Sequence, residues 1–467
     1  MKAVTTTIIL LILLAASHGL QAANSDSILL ARQGAAILSV RTIDGETPSC
    51  EFVWPPEGAN GIGVTNANKV AGRCILTEGD STIYDSGDYS KDQSGMTIKV
   101  RGNTSAYYYA KYPYKIKLEK KGDLLGRGDE AYYDKNWVLL HEGDSKLNAM
   151  IGLKLNELMG LGGWTPAYKF VNLILNGDNL GVYMLVEQVR RNRDCRINID
   201  KATGYLFERD SYWWNEDCFF KTLLDKEYTI KYPDSEDISM EQIGYLQQMV
   251  NIMEQAISNG SYQQYIDTRS FAAWLLAQDI LGTYDSGGAN IYLTKYDSSD
   301  TTKIAMATLW DFDSAFRNND KWARIHESNF FYFPLLLSSD NKTFAHCYYQ
   351  LWQEMRDSIF GQMEQFLQDF TNSDECRKMN YSRILDGHRF NCLQPTAQRN
   401  VSDAIVWFNR RRAWLDANIH DVETDIATPA VSRNLPTNTY DIKGRRIKAD
   451  SRHLQLHIRN GKKYTTH

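Results

Sequence analysis

Apolar residues alternate with polar ones along the first half of the chain and recur at helical spacing along the second half. Short runs with a period of two, such as residues 36–40 (AILSV), predict strands up to about residue 238. From Ser239 onward apolar side chains stand three and four positions apart, which predicts long amphipathic helices, for example over 262–281 and 344–370. The pattern therefore predicts an α+β protein, strand-rich first and helical afterwards.

Turn signals and changes of composition divide the chain into successive segments. Residues 24–95 carry short strands broken by PPEG and by Asn, Asp and Gly turns, which predicts a small N-terminal β module. A strand-rich lobe is predicted over 96–238 and a helical lobe over 239–420. A basic tail of strands and turns, with two prolines near its start, is predicted over 428–467.

The N-terminus has the features of a secretory signal peptide. Lys2 precedes an apolar run over 8–16, and the small residues Ala22 and Ala23 follow, so residues 1–22 are predicted to be removed. The apolar run is too short to span a bilayer, and no later segment is apolar enough to do so. We therefore expect an exported protein, located in the periplasm, on the cell surface or outside the cell.

Seven cysteines would then lie in a compartment where disulfides persist. Cys50 and Cys74 lie within one strand-rich stretch, and Cys195 and Cys218 flank another, so a disulfide is predicted within each pair. The other three cannot all pair with one another, and at least one thiol is left over (Cys347, Cys376, Cys392). No Cys-x-x-Cys spacing occurs, which disfavours a metal site built from cysteine.

Three carboxylates and an amide follow a predicted helix that begins near Phe271. Asp285 and Asn290 stand five positions apart around a Gly-Gly turn, and the residues after Asn290 predict a hairpin that leads into Asp311 and Asp313. Carboxylate and amide oxygens on adjoining loops are what a divalent cation and a transferred phosphoryl group require. Taken alone, the stretch from Asp285 to Asn290 or the stretch from Asp311 to Asp313 is more often a turn than a catalytic site. The hypothesis therefore needs a phosphate-binding segment elsewhere in the chain.

Residues 96–119 supply a candidate for that segment. Two predicted strands flank the turn over residues 101–105 (RGNTS), whose backbone N–H groups and hydroxyls suit phosphate oxygens. On the returning strand the period of two places Lys115 and Lys117 together, on the face opposite the apolar residues. Glu187 ends a later predicted hairpin and could hold a strand lysine in place. A solvated lysine face and an exposed Glu187 are the simpler alternatives, and the residues leave them open.

Together these motifs resemble the CotH kinase family, the spore-coat-type atypical kinases, in the branch found in secreted proteins of Bacteroidetes. The resemblance rests on RGNTS followed by KYPYKIKL, on NWVLLHEGD, on LNGDNLGVYMLVEQV, on the Asp285 to Asn290 spacing and on WDFDSAF. It runs from about residue 96 to 316 and on through the helical segment to about 420. The final YDIKGRR and IRNGKKY resemble the C-terminal tails of proteins exported across the outer membrane in that phylum.

The resemblance implies ATP- and Mg²⁺-dependent phosphorylation of proteins on a diverged two-lobe kinase-like fold. It makes Asp285 the catalytic base and Asn290 and Asp311 the magnesium ligands, while Asp313 could replace or join Asp311. Lys117 would contact the phosphates with Glu187 as its partner, and Lys115 could take its place. The RGNTS turn would cover the phosphates, which implicates three of its residues (Arg101, Asn103, Ser105). The segment DSKLNAM lacks the arginine that many relatives carry there, so the contact made by that arginine is in doubt.

The expected partners are ATP, a protein substrate that the sequence does not name, and export machinery through the C-terminal tail. A net charge of −5 gives no reason to expect nucleic-acid binding. An exported enzyme meets little ATP, so the rival hypothesis is a non-catalytic surface protein on a kinase-like fold that binds glycan or protein partners through exposed aromatic residues. A metal-dependent phosphohydrolase would be expected to show more His and Asp ligands than nine scattered histidines suggest.

Overall fold

The structure, a computed structural model, describes residues 26–109, 111–141, 147–283, 289–316, 332–390 and 395–420, and the tail residues 439–440, 446–447, 455–459 and 462–466. The chain divides into two compact units, Met1–His420 and Asp421–His467. The predicted signal peptide, residues 1–22, lies outside the described residues.

The first unit contains strands β1 to β15 and helices α1 to α9. The strands are β1 (Ala36–Thr42), β2 (Glu51–Val53), β3 (Gly63–Thr65), β4 (Val70–Glu78), β5 (Ser81–Asp85), β6 (Met96–Val100), β7 (Tyr114–Gly122), β8 (Asp134–His141), β9 (Tyr168–Leu175), β10 (Asp178–Glu187), β11 (Tyr205–Arg209), β12 (Phe219–Lys221), β13 (Glu227–Tyr232), β14 (Ile291–Lys295) and β15 (Ile304–Thr308). The helices are α1 (26–33), α2 (Thr104–Tyr108), α3 (Asn148–Met159), α4 (Met240–Asn259), α5 (Thr268–Leu281), α6 (Tyr332–Ser338), α7 (Thr343–Thr371), α8 (Asp374–Phe390) and α9 (Ala397–Asn418).

Seven strands close into a barrel in the order β1-β9-β10-β8-β7-β6-β4, and β4 pairs with β1 to complete the ring. Neighbouring strands are antiparallel except β1 and β9, which run parallel. Residues two apart on a strand share a face, so the apolar side chains of the alternating pattern point into the barrel and fill it. Leu38, Ile98, Ile116, Trp137 and Leu185 belong to this buried core.

A second sheet, in the order β12-β13-β11-β14-β15, packs with the helices around a larger hydrophobic core. Val138 and Met184, on the outer face of the barrel strands, belong to this second core and join the two parts. Residues 271–281 of α5 are all buried, which places this helix at the centre of the core. α4 begins with a capping box in which Ser239 and Gln242 exchange hydrogen bonds.

The predicted α+β class is confirmed, since strands dominate up to β13 and helices dominate after it. The closed barrel was not predicted. β1 and β4 fall in the stretch 24–95 that was expected to form a module of its own, yet both are strands of the barrel, because β1 pairs with β4 and β9. The kinase-like two-lobe arrangement remains a prediction.

Both predicted disulfides are wrong, because Cys50, Cys74, Cys195 and Cys218 are free thiols. Cys74 is fully buried among the barrel side chains, and its backbone N–H donates to Ser86 Oγ at 2.9 Å. Cys195 lies beside the backbone oxygen of Tyr133, whereas Cys218 precedes β12 of the second sheet. The spacing between cysteines carried no information on which sheet each would join. Cys392 lies outside the described residues.

The second unit contains four short strands, β16 (Thr439–Tyr440), β17 (Arg446–Ile447), β18 (Gln455–Arg459) and β19 (Lys462–Thr466), in the order β17-β16-β18-β19. Strands were predicted in this tail. Among the helices that the structure describes in either unit, none combines the length and apolar character needed to cross a membrane.

Candidate functional site

A cavity of about 640 Å³ lies where the segment after β6 faces the ends of β11, β14 and β15. Its lining brings together most of the predicted site residues, which come from three distant parts of the sequence (Arg101, Asn103, Ser105, Asn290, Asp311, Asp313). The predicted base, Asp285, falls in residues 284–288, outside the described residues.

Asn290 and Asp311 meet at one side of this cavity. Asn290 immediately precedes β14, Asp311 follows β15, and Asn290 Nδ2 donates to Asp311 Oδ2 at 3.0 Å. Both residues adopt left-handed backbone conformations, with φ of 60° and 62°. Asn and Asp adopt this region more readily than other residues with a side chain, so both positions can turn the backbone here. The β14–β15 hairpin therefore presents the two side chains together, as the sequence predicted.

Helix α3 fixes the segment that carries Asp311. Asn148 Nδ2 donates to the backbone oxygen of Phe312 at 3.1 Å, and Asn156 Oδ1 accepts from the backbone N–H of Leu309 at 2.8 Å. The Phe312 ring packs directly on Gly152, where a Cβ would come within 2.5 Å of the ring carbon Cγ. Only a glycine permits this approach of helix and loop, so α3 sets the position of the Asp311-Phe312-Asp313 segment.

The RGNTS segment forms another part of the cavity lining, and part of it is a short helix where a turn was predicted. Arg101 N–H donates to the backbone oxygen of Pro113 at 3.0 Å, which ties the segment to the start of β7. Asn103 Oδ1 accepts from the backbone N–H of Val64 at 3.1 Å. The amide oxygen of Asn103 thus anchors the β2–β3 hairpin over the segment, a structural role that the sequence did not indicate.

Lys115 and Lys117 are not among the described residues that line the cavity. Lys117 is exposed, and Lys115 is half-buried beside other cations. Burial, together with Arg190, Lys99 and Arg101, lowers the pKa of Lys115 to about 7. No carboxylate among the described residues pairs with Lys115.

Glu187 does not hold a strand lysine. Its buried carboxylate forms ion pairs with Arg127 Nη2 at 2.7 Å and with Arg196 Nη1 at 3.0 Å. It also accepts from the backbone N–H of Ala167 at 3.0 Å. Trp137 lies directly opposite Glu187 on one neighbouring strand and directly opposite Ile116 on the other, so all three side chains point into the barrel. Lys115 and Lys117 flank Ile116 on β7 and therefore project from the outer face. The predicted pairing with Lys117 is therefore corrected.

Four charged residues of the second sheet line the cavity and were not predicted. Lys231 Nζ lies 3.2 Å from Glu208 Oε2, 3.5 Å from Asp210 Oδ2 and 3.4 Å from Glu216 Oε1. Burial, and then the neighbouring Asp210 and Glu216, raise the pKa of Glu208 to about 7 against the opposing effect of Lys231. Although its own burial opposes this, the carboxylates raise the pKa of Lys231 above its usual range. No pattern in the sequence singled out any of the four.

The cavity walls carry an excess of negative charge. Five carboxylates among the described lining residues face two cationic side chains, Arg101 and Lys231 (the carboxylates are Glu208, Asp210, Glu216, Asp311 and Asp313). Within the described ranges no three His, Cys, Asp or Glu side chains form a group suited to hold a metal ion by themselves. Mg²⁺ usually takes one or two carboxylates and completes its shell with phosphate and water oxygens. The oxygens of Asn290, Asp311 and Asp313 fit such partial ligation.

A solved crystal structure of a Helicobacter pylori proinflammatory kinase, CtkA, aligns over 62% of this chain and 94% of its own, at 11% identity and a TM-score of 0.29. No curated protein matches the chain. The model of the CotH kinase protein family matches residues 98–415, well over half of the sequence, and the chain therefore belongs to that family.

Proposed function

We propose that this protein is an exported atypical kinase that transfers the γ-phosphoryl group of ATP to a protein hydroxyl in a Mg²⁺-dependent reaction. One observation carries the proposal: the hydrogen-bonded pair Asn290 and Asp311 shares a cavity with Arg101 and Ser105 of the RGNTS segment. Membership of the CotH kinase family supports it. A diverged two-lobe kinase arrangement, with the cavity between its strand-rich and helical parts, forms part of the same proposal.

Each residue has a role in this proposal that follows from its position. Asn290 and Asp311, with Asp313, would hold Mg²⁺, which when bound neutralises phosphate charge. Arg101 and the hydroxyl of Ser105 would contact phosphate oxygens from the RGNTS part of the lining. Because the sheet side of the cavity is acidic, a polyphosphate would be repelled without a divalent cation, so nucleotide binding should require Mg²⁺.

Asp285 is proposed as the group that accepts the proton of the substrate hydroxyl, on the strength of its place five residues before Asn290. Asp285→Asn should spare nucleotide binding and lower phosphoryl transfer by roughly 10²-fold or more, the scale of general-base contributions. Equal losses in binding and transfer would contradict this role.

Labelled ATP tests the proposal directly. Mature protein incubated with γ-labelled ATP and Mg²⁺ should incorporate label into itself or into added protein, and Asp311→Asn should abolish the incorporation while leaving the fold intact. Asp300→Asn is the matched control, because Asp300 is an exposed residue in the turn of the same hairpin. Incorporation by Asp311→Asn at the wild-type rate would refute the assignment.

A second candidate function rests on exposed aromatic rings. Trp54, Tyr107 and Tyr108 are 68%, 43% and 68% exposed, and the Tyr107 ring lies 6.2 Å from the Trp54 ring and 5.0 Å from the Tyr108 ring. Such a surface suits a glycan or protein partner. If the wild-type protein binds no nucleotide with Mg²⁺, a non-catalytic binding protein becomes the favoured function.

Export limits where the reaction could occur. Compartments outside the cytoplasm hold little ATP, so we propose that transfer takes place during export or with a donor supplied there. The basic tail over 428–467 is proposed to contact the export machinery. Comparison of label incorporation by protein isolated before and after export would test this order of events.

A further inference from the structure

We propose that Lys231 is the cation that receives the phosphate oxygens in this cavity, in place of Lys115 or Lys117. This inference rests on the proposed function, because it assigns the phosphate contact within the same site. It starts from position: among the described residues, Lys231 is the lysine that lines the cavity.

The second sheet brings Lys231 and the Asn290 and Asp311 pair to the same cavity. Glu208 on β11 lies directly opposite Tyr292 on β14 and directly opposite Thr229 on β13. Lys231 Nζ lies 3.2 Å from Glu208 Oε2, so the lysine side chain lies on the face of Glu208, and Asn290 stands two positions before Tyr292 at the entry to β14. The lysine and the predicted magnesium ligands therefore approach the cavity from one sheet, in which β13 pairs with one edge of β11 and β14 with the other.

The contacts of Lys231 hold its ammonium in place. Glu208, Asp210 and Glu216 surround it at 3.2–3.5 Å, and its side chain is 21% exposed. Asp210 is itself fixed, because Thr229 Oγ1 donates to its Oδ2 at 3.1 Å. An ammonium held at a cavity wall by carboxylates, with one side open to the cavity, can donate to an incoming phosphate without reorganising the wall.

The other candidate lysines lack this arrangement. Lys117 is exposed on the outer face of the barrel, and the carboxylate proposed as its partner, Glu187, is committed to Arg127 and Arg196. Lys115 lies directly opposite Lys99, and four cations lower its pKa further after burial (Arg190, Lys99, Arg101, Lys117). Nothing among these groups holds either lysine toward the cavity.

Calorimetry with a non-hydrolysable ATP analogue and Mg²⁺ tests the inference. Lys231→Met should weaken binding roughly tenfold to hundredfold, the loss expected for a hydrogen bond to a charged group. Lys115→Met and Lys117→Met should bind within about threefold of the wild type. Lys221→Met is the matched control, because Lys221 lies on the adjacent edge strand, pairs with Glu227 at 3.7 Å and is not among the described lining residues.

Two outcomes would overturn the inference. Wild-type affinity in a folded Lys231→Met variant would do so, and so would a loss confined to Lys115→Met or Lys117→Met. In both cases the wild-type protein binds the nucleotide, so the proposed function survives. Absence of binding in the wild type would remove the proposed function as well, which distinguishes the two failures.

Lys231→Met leaves three carboxylates without a cation and could misfold for that reason. A second variant that keeps a cation therefore tests the inference independently. Lys231→Arg retains a cation among Glu208, Asp210 and Glu216, and should melt close to the wild type. Its guanidinium also binds phosphate, but it is larger and planar and places its donors differently from a compact ammonium. We expect it to transfer phosphate at about a tenth of the wild-type rate or less, and transfer at the full rate would contradict the assignment.

Discussion

Gly152 is the position at which the packing of α3 against the candidate site can be tested most sharply. It lies inside the helix, and a Cβ added there would come within 2.5 Å of Phe312 Cγ and closer to two other ring atoms. Phe312 is only 4% exposed and stands between Asp311 and Asp313, so its ring cannot move without moving the segment. Gly152→Ala should therefore displace the predicted magnesium ligands.

Two effects of opposite sign determine how Gly152→Ala changes the free energy of unfolding. Replacing a helix-interior glycine by alanine stabilises a helix by about 1 kcal/mol. Overpacking a buried contact costs about 1–3 kcal/mol. The clash involves three ring atoms of a buried side chain, so the cost of overpacking should exceed the gain in helix stability. Gly152→Ala should therefore lower the free energy of unfolding by up to about 2 kcal/mol. Misplacement of the loop should lower transfer by roughly 10²-fold.

The assay compares melting temperature and label incorporation in Gly152→Ala and in Gly361→Ala. Gly361 lies inside α7, and an added Cβ there meets no atom within 4 Å, so this control should gain up to about 1 kcal/mol and keep full activity. A Gly152→Ala variant that gains stability like the control and transfers phosphate normally would refute the account of how α3 positions the loop.

Three further predictions concern other parts of the chain. Glu187→Gln should lower the free energy of unfolding by about 1–3 kcal/mol, because it removes a carboxylate from Arg127 and from the buried Arg196, which keep Asp123 and Asp134 as anionic partners. Calorimetry should find nucleotide affinity unchanged, and weaker binding at unchanged stability would restore the predicted role of Glu187 in the site. Burial and neighbouring cations lower the pKa of Lys115 from its ordinary 10.5 to about 7 in the folded protein, so the unfolded chain binds more protons between these two values and stability should rise with pH across that window. Lys115→Met should therefore raise the melting temperature at pH 6, with the difference shrinking toward pH 10.5, and a lower melting temperature at pH 6 would contradict this. Truncation at Thr428 should leave the melting temperature of the first unit unchanged while reducing exported protein, since the tail forms a unit of its own, and a large drop in melting temperature would show otherwise.

Local patterns in the sequence predicted the parts of the site that depend on neighbouring residues. Alternation over 96–118 gives β6 and β7, and the turn signals after Asn290 give the hairpin that brings Asn290 to Asp311. Both depend on antiparallel strands joined by short connections, where period and turn chemistry are visible in one stretch.

The features that sequence did not predict depend on contacts between distant segments. Barrel closure requires β1 to pair with β9, more than a hundred residues later, and no local pattern encodes that register. The same closure turns Glu187 toward the barrel interior and the strand lysines away from it. The assembly of Glu208 with Lys231 likewise follows from the pairing of β11 with β13, which a period of two cannot specify.

Magnesium-dependent nucleotide binding is the measurement that tests the central claim most directly. Titration of ATP into the wild-type protein should show binding with Mg²⁺ and little without it, because phosphate charge must be neutralised against an acidic wall. Asp311→Asn should lose the magnesium dependence while melting close to the wild type, since the amide conserves the shape of the side chain. If the wild type binds no nucleoside triphosphate in the presence of Mg²⁺, the cavity at Asn290 and Asp311 is not a phosphoryl-transfer site.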